Sequence, residues 1–125
     1  TQYKMQVPVF RVRAGARVPL DDGWAGAVMI SGVLHHLDDG HALRLLREAA
    51  RVLSPGGVIV IWEDTADVAW WNVVGRVLHL FDNGAFIRRA SEYQALVARV
   101  LAVDTVCRMR SGFMEYCVMH CRSAA

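Results

Sequence analysis

Two histidines and two aspartates stand almost together in "LHHLDD", residues 34–39, and His41 follows two positions later. Imidazoles and carboxylates side by side suit two chemistries, metal ligation and proton transfer. Metal ligation is the weaker reading. Neighbouring residues in a helical turn point about 100° apart, so His35 and His36 do not converge on one ion. His41 is not four residues from either of them. Proton transfer survives: a neutral imidazole at a pocket mouth can accept a substrate proton, which makes His35 and His36 the candidate catalytic residues. The plainer alternative is a junction, in which Leu34 and Leu37 pack and one histidine hydrogen-bonds the loop.

A second acidic pair, Glu63 and Asp64, follows the apolar run "VIVIW". Glu63 is a candidate substrate contact, and Asp64 reads better as a helix cap. Three cysteines make no even disulfide framework, so a reducing cytoplasm is expected. Cys117 and Cys121 lie four apart in a predicted strand, where four residues span ~13 Å. Two sulfurs on one zinc must each lie within ~2.3 Å of it, so no metal site is expected and the cysteines read as buried structure.

The elements that must position these groups are legible from periodicity. Ala25–Ser31, "AGAVMIS", is a continuous apolar run suited to a strand covered on both faces. His41–Leu53 is amphipathic: Leu43, Leu46, Ala50 and Leu53 form one stripe, widened by Leu45, Ala49 and Val52, opposite Arg44, Arg47, Glu48 and Arg51. Asp38 or Asp39 can cap it. "SPGG", residues 54–57, ends it, and Val58–Trp62 is a second apolar strand. Strand, helix, strand is a βαβ unit, whose parallel strands carry ligands beyond their carboxyl ends. Those ends are Ser31–His36 and Glu63–Asp67, and they should open on the same side.

Met5–Arg13 alternates as a possible edge strand, given Pro8. Ala66–Phe81 reads as a helix apolar on nearly every side, either buried or lining a substrate wall. Trp70 and Trp71 are the candidate substrate-binding residues there, with Arg88 and Arg89 nearby. "SEYQ", residues 91–94, reads as a capping box opening a helix that runs to about Leu101. Val103–Arg110 and Phe113–Cys121 should form an antiparallel pair around "RSGF".

The 125 residues suit one domain, and the 54% hydrophobic fraction supplies a core. A net charge of +2 with scattered arginines does not point to nucleic acid. No apolar stretch reaches the ~18 residues of a membrane span, and no signal peptide is visible.

This order resembles the C-terminal half of class I methyltransferases that use S-adenosylmethionine, of the small-molecule branch. The matching pieces are "VPLDDG", "VMISGVLHHLDD", "LLREAARVLSPGG", "VIVIWED" and "RSGFMEYCVMHCR". The resemblance implies an α/β fold: a partial Rossmann-like methyltransferase sheet, equivalent to the family's third to seventh strands. That sheet is mostly parallel, with an antiparallel C-terminal hairpin and helices on both faces. It implies one truncated domain over residues 1–125, S-adenosylmethionine as cofactor, and a small-molecule substrate. Ser31 and Gly32 match the positions past which the methionine part of the cofactor runs.

The departures are specific. The family's G-x-G-x-G loop is absent, Ala14 or Ala16 stands where an acidic residue usually faces the adenine, and Gly26 replaces an aspartate that often starts the fourth strand. Without the first two strands, residues 25–31 become an apolar edge that must be covered, by Met5–Arg13 moving into the vacant slot, by a second copy in a homodimer or by a partner chain; a homodimer is the expectation. Two functions therefore stay open. One is a small-molecule methyltransferase, incomplete or inactive as an isolated chain. The other is a non-catalytic dimeric binding module derived from the same fold.

Overall fold

The structure is a computed structural model, and it describes residues 9–13, 15–66, 74, 77 and 86–124. Strand β1 (Ala25–Ser31) is the expected apolar run. A 3-10 turn follows over Leu34–His36, and helix α1 spans Asp39–Val52. Asp38 is its N-cap, accepting from the His41 backbone N–H at 2.8 Å. The apolar face of α1 buries Ala42, Leu43, Leu46, Ala49 and Val52, while Arg44 and Arg47 stay exposed.

Strand β2 (Leu53–Asp64) starts directly at the helix end, earlier than the expected Val58. The "SPGG" segment is therefore a bulge inside the strand as well as a helix stop. Ala25 pairs with Leu53 and Ala27 with Val58, so Ser54–Gly57 are accommodated where β1 has one residue. Gly57 is needed there because a Cβ would stand 2.6 Å from Leu53 Cδ1 and 2.9 Å from the Gly26 carbonyl.

Helix α2 (Ala90–Val97) begins earlier than "SEYQ" suggests. Its N-cap is Arg89, whose N–H donates to Glu92 Oε1 at 3.4 Å. It also ends earlier, because strand β3 (Leu101–Ser111) begins at the expected helix end. Gly112, at φ +59°, turns the chain into strand β4 (Met114–Ser123).

The sheet order is β1-β2-β4-β3. Strands β1 and β2 are parallel, and β4 is antiparallel to both β2 and β3. Three of the four strands thus point one way, with the expected antiparallel hairpin at the end. Helix α1 packs on β2, α2 packs on β3, and the two touch each other, so both described helices share one face. Between them and the sheet lies the core, with Ile30, Leu46, Ile59, Ile61, Tyr93, Val97 and Met119 almost fully buried.

Two expectations need correction. Residues 9–13 are not in a strand, and Val9 and Phe10 are exposed. The chain just beyond them is drawn onto α1, where Arg51 donates to the carbonyls of Val18 and Leu20 at 2.9 Å each. Cys117 and Cys121 are buried as expected, but Cys107 is exposed, because β3 is an edge strand. Burial pushes the Cys121 thiol up to about 11. Of the expected helix 66–81, all but Ala66, Val74 and Val77 lies outside the described residues, and so do residues 1–8.

Arg51 also holds Glu48 through both carboxylate oxygens, at 2.8 and 2.9 Å, and Glu48 accepts from the Val18 N–H at 2.8 Å. Hydrogen bonding to Arg51 is the main reason the Glu48 carboxyl falls to about 2 from an ordinary 4.5. A depressed folded-state value stabilises the fold above the unfolded value, and that stability is lost as pH falls through the folded one. Urea titrations are therefore expected to weaken between pH 4.5 and about 2. Glu48→Gln should flatten that part of the profile. An unchanged acid limb would show that the pair does not couple to folding.

Candidate active site at the carboxyl ends of β1 and β2

Parallel pairing brings the ends of β1 and β2 level: Ser31 opposes Trp62, and the Gly32 N–H donates to the Trp62 carbonyl at 2.9 Å. Gly32 then takes φ +64°, which suits glycine and lets the chain turn sharply off the sheet. The Leu34–His36 turn begins two residues further on.

Glu63 is the next residue of β2, on the same face as Ile59 and Ile61, and is fully buried. A buried carboxylate needs donors, and three are supplied. Oε1 accepts from the N–H groups of Val33 and Leu34, at 2.9 and 2.7 Å. Oε2 lies 2.8 Å from His35 Nδ1. His35 is itself 5% exposed, with Cε1 3.8 Å from where a Gly32 side chain would begin. His36 is exposed, and its ring lies 4.1 Å from that of His35, tilted by 40°.

The structure thus brings together Ser31, Gly32, His35, His36 and Glu63. It changes the role of Glu63. With no exposed surface and both oxygens bonded, it does not reach out to a substrate; it stands behind His35. The plain junction reading is also modified, since His35 bonds a strand-end carboxylate and not the loop. Trp70 and Trp71 lie outside the described residues. Among the described residues no group of histidine, cysteine and acidic side chains could hold a metal ion.

Arg88 is not a free substrate-wall cation. It is 8% exposed, and its guanidinium donates to the carbonyls of Leu34 (3.0 Å), Leu37 (2.8 Å) and Phe86 (3.2 Å) and to Asp39. It also lies over the Tyr93 ring, 5.8 Å from its centroid. The Tyr93 hydroxyl donates to the Asp64 carbonyl at 2.8 Å, and burial raises its pKa. Sequence reasoning missed this closure because nothing in the spacing marks Arg88 as the partner of residues 34–39.

Ser31 and Gly32 are small and exposed, so a ligand can run past the end of β1. Asp38, Asp39 and Glu63 are all bonded within the chain. Ser31 and Gly32 thus leave an open, uncharged surface at the end of β1, as backbone contacts to S-adenosylmethionine would need.

Residues 2–61 match the family described as a methyltransferase domain. No curated protein matches the chain. Among solved structures, the mitomycin 7-O-methyltransferase MmcR superposes with a TM-score of 0.63 at 27% identity, covering 84% of this chain and 31% of that one. The pyocyanin biosynthetic protein PhzM gives a TM-score of 0.70 at 23% identity, covering 90% and 34%. The geranyl diphosphate C-methyltransferase of Streptomyces coelicolor A3(2) was solved with Mg2+, geranyl diphosphate and S-adenosyl-L-homocysteine. It gives a TM-score of 0.60 at 18% identity, covering 91% and 52%. The chain therefore spans between about a third and a half of the length of these proteins. Over residues 2–61 in sequence, and over nearly its whole length in fold, the chain is similar to the class I methyltransferases that use S-adenosylmethionine.

Proposed function

We propose that this chain is the acceptor-side part of a methyltransferase that acts on a small molecule, with His35 as the group that takes the acceptor's proton. The observation that carries this reading is the buried His35–Glu63 pair at the carboxyl ends of two parallel strands. When bound, S-adenosylmethionine supplies the methyl group. Glu63 accepts a hydrogen bond from the Nδ1–H of His35, which fixes the tautomer and leaves the Nε2 lone pair as the base. Among the described residues no group bonds Nε2. An acceptor hydroxyl fits this arrangement, because its oxygen gains nucleophilicity as its proton leaves. The likeness to a mitomycin 7-O-methyltransferase supports the same acceptor class. His36 would contact the acceptor at the rim, and Ser31 and Gly32 would line the cofactor's reacting end. Three free cysteines favour a reducing cytoplasm. Within the described residues, no helix is long and apolar enough to cross a membrane.

A second reading rests on β1, whose outer side is unpaired among the described residues. Beside it lies an apolar groove of about 360 Å³, lined by Val18, Leu20, Trp24, Val28, Met29 and Leu45 among others. Trp24 and Met29 are 65% and 64% exposed. No charged residue or proline interrupts Ala25–Ser31, so the edge lacks the usual protection against pairing. In the catalytic reading this edge is covered by a segment bearing the missing glycine-rich loop. In the non-catalytic reading it is covered by a second copy.

Two measurements separate them. Sedimentation at micromolar concentration, with Met29→Lys as the control, reads the second copy. Calorimetric titration with S-adenosylhomocysteine, with and without an added glycine-loop segment, reads the cofactor site. Heat only when the segment is present, with methyl transfer lost in His35→Ala, supports the catalytic reading. A dimer broken by Met29→Lys, without heat in either titration, supports the binding module. Methyl transfer unchanged in His35→Ala would overturn the role given to His35.

A further inference from the structure

The turn that carries His35 is held at both of its polar ends by opposite charges. On the amide side, Glu63 takes the N–H groups of Val33 and Leu34. On the carbonyl side, Arg88 takes the carbonyl oxygens of Leu34 and Leu37, and the Phe86 N–H donates to the His35 carbonyl at 2.9 Å. A short turn has its partial positive charge at the amide end and its partial negative charge at the carbonyl end. An anion at the first and a cation at the second stabilise the same orientation of the same turn.

Arg88 suits this task by shape as well as charge. Its Nε and Nη2 both donate to Asp39 Oδ1, at 3.2 and 2.8 Å, which ties the turn to the first residue of α1. Nη1 serves Leu34 and Phe86, and Nη2 also serves Leu37. All three nitrogens of the planar fork are engaged, and a lysine ammonium cannot reproduce that geometry. The backbone of Arg88 is anchored too: it bridges to Thr65, and its carbonyl accepts from the Ala66 N–H at 2.9 Å. Arg88 therefore joins the chain just past β2, through its backbone, to the histidine turn, through its guanidinium.

We propose that Arg88 is a positioning residue for the His35–Glu63 pair, keeping the imidazole turned so that Nδ1 faces Glu63. This rests on the proposed role of His35 only for its bearing on methyl transfer; the geometry itself is testable without cofactor. The test is the ring-nitrogen spectrum of His35 in the full chain labelled with 15N-histidine. The wild-type chain is expected to show a single Nδ1–H tautomer. Arg88→Lys is expected to lose that single pattern and show both tautomers, and Asp39→Asn to shift the same way by a smaller amount. A merely structural arginine would lower Tm and leave the His35 signature of the folded protein unchanged, and that result overturns the proposal. If Arg88→Lys does not fold, folded Asp39→Asn decides by the same criterion. Failure of the role proposed for His35 looks different: the tautomer is released as expected, yet His35→Ala leaves methyl transfer intact.

Discussion

Glu63→Ala is expected to destabilise the chain by about 3–5 kcal/mol, since each buried donor left without its acceptor costs about 1–3 kcal/mol. The substitution strips the acceptor from three donors at once: the N–H groups of Val33 and Leu34 and the Nδ1 of His35. The donors of Leu34 and His35 cannot turn to water without opening the junction, since Leu34 is fully buried and His35 nearly so. For a domain whose whole stability is of order 5–15 kcal/mol, this is a large share. Urea denaturation reads it directly. A loss below about 1 kcal/mol would mean that the carboxylate does not organise the turn.

Glu63→Gln separates structure from chemistry at the same position. The amide keeps one oxygen for the backbone N–H groups, so the cost should fall to about 1–3 kcal/mol. Its NH2 group then faces His35 Nδ1 and needs an acceptor there. The imidazole is driven to the Nε2–H tautomer, and the atom needed as base carries the proton. In a cofactor-competent assembly, methyl transfer is expected to fall by about 10²–10⁴-fold, the range for a lost general base. A folded Glu63→Gln protein with wild-type turnover would remove proton acceptance from the account of this site.

The second large effect is expected at Gly57, where alanine should cost about 1–3 kcal/mol through overpacking. The new methyl would sit 2.6 and 2.8 Å from Leu53 Cδ1 and Cγ and 2.9 Å from the Gly26 carbonyl. Leu53 is buried and cannot swing aside, while Gly26 belongs to the backbone of β1. Relief must come from β1 lifting away from β2, so hydrogen exchange should rise along Ala27–Ser31. Gly56 makes the contrast: nothing lies within 4 Å of its missing Cβ, and its φ of +78° is the only obstacle. Gly56→Ala should therefore cost about 1–2 kcal/mol from the left-handed backbone alone, without loosening β1. Equal exchange in the two variants would contradict the steric account.

Local features of this chain were legible where one segment decides its own structure. The arginine-against-leucine pattern gave α1 to within two residues, and Asp38 was already a candidate cap. The continuous apolar run gave β1 with its observed bounds. Legibility failed where two segments must meet. Leu53 looked like the last turn of a helix because nothing before the bulge announces that it pairs with Ala25. His35 and Glu63 were each singled out, and their strand ends were expected to open together. Their bond across 28 residues, however, depends on a register that periodicity does not give. Arg88 was harder still: its donors reach residues 49 to 54 positions away, on a turn with no pattern of its own.

The place of β4 has a consequence for how the chain assembles. It is synthesised after β1, β2 and β3, yet it lies inside the sheet, between β2 and β3. Glu63 itself is registered against Cys117, and Ile59 against Cys121. Until those residues emerge, one side of β2 has no neighbour, and these widely separated pairings carry the largest loop-closure entropy in the sheet. The histidine site is thus completed late in folding, and nascent chains that stop before β4 leave an apolar strand bare for chaperones or proteases.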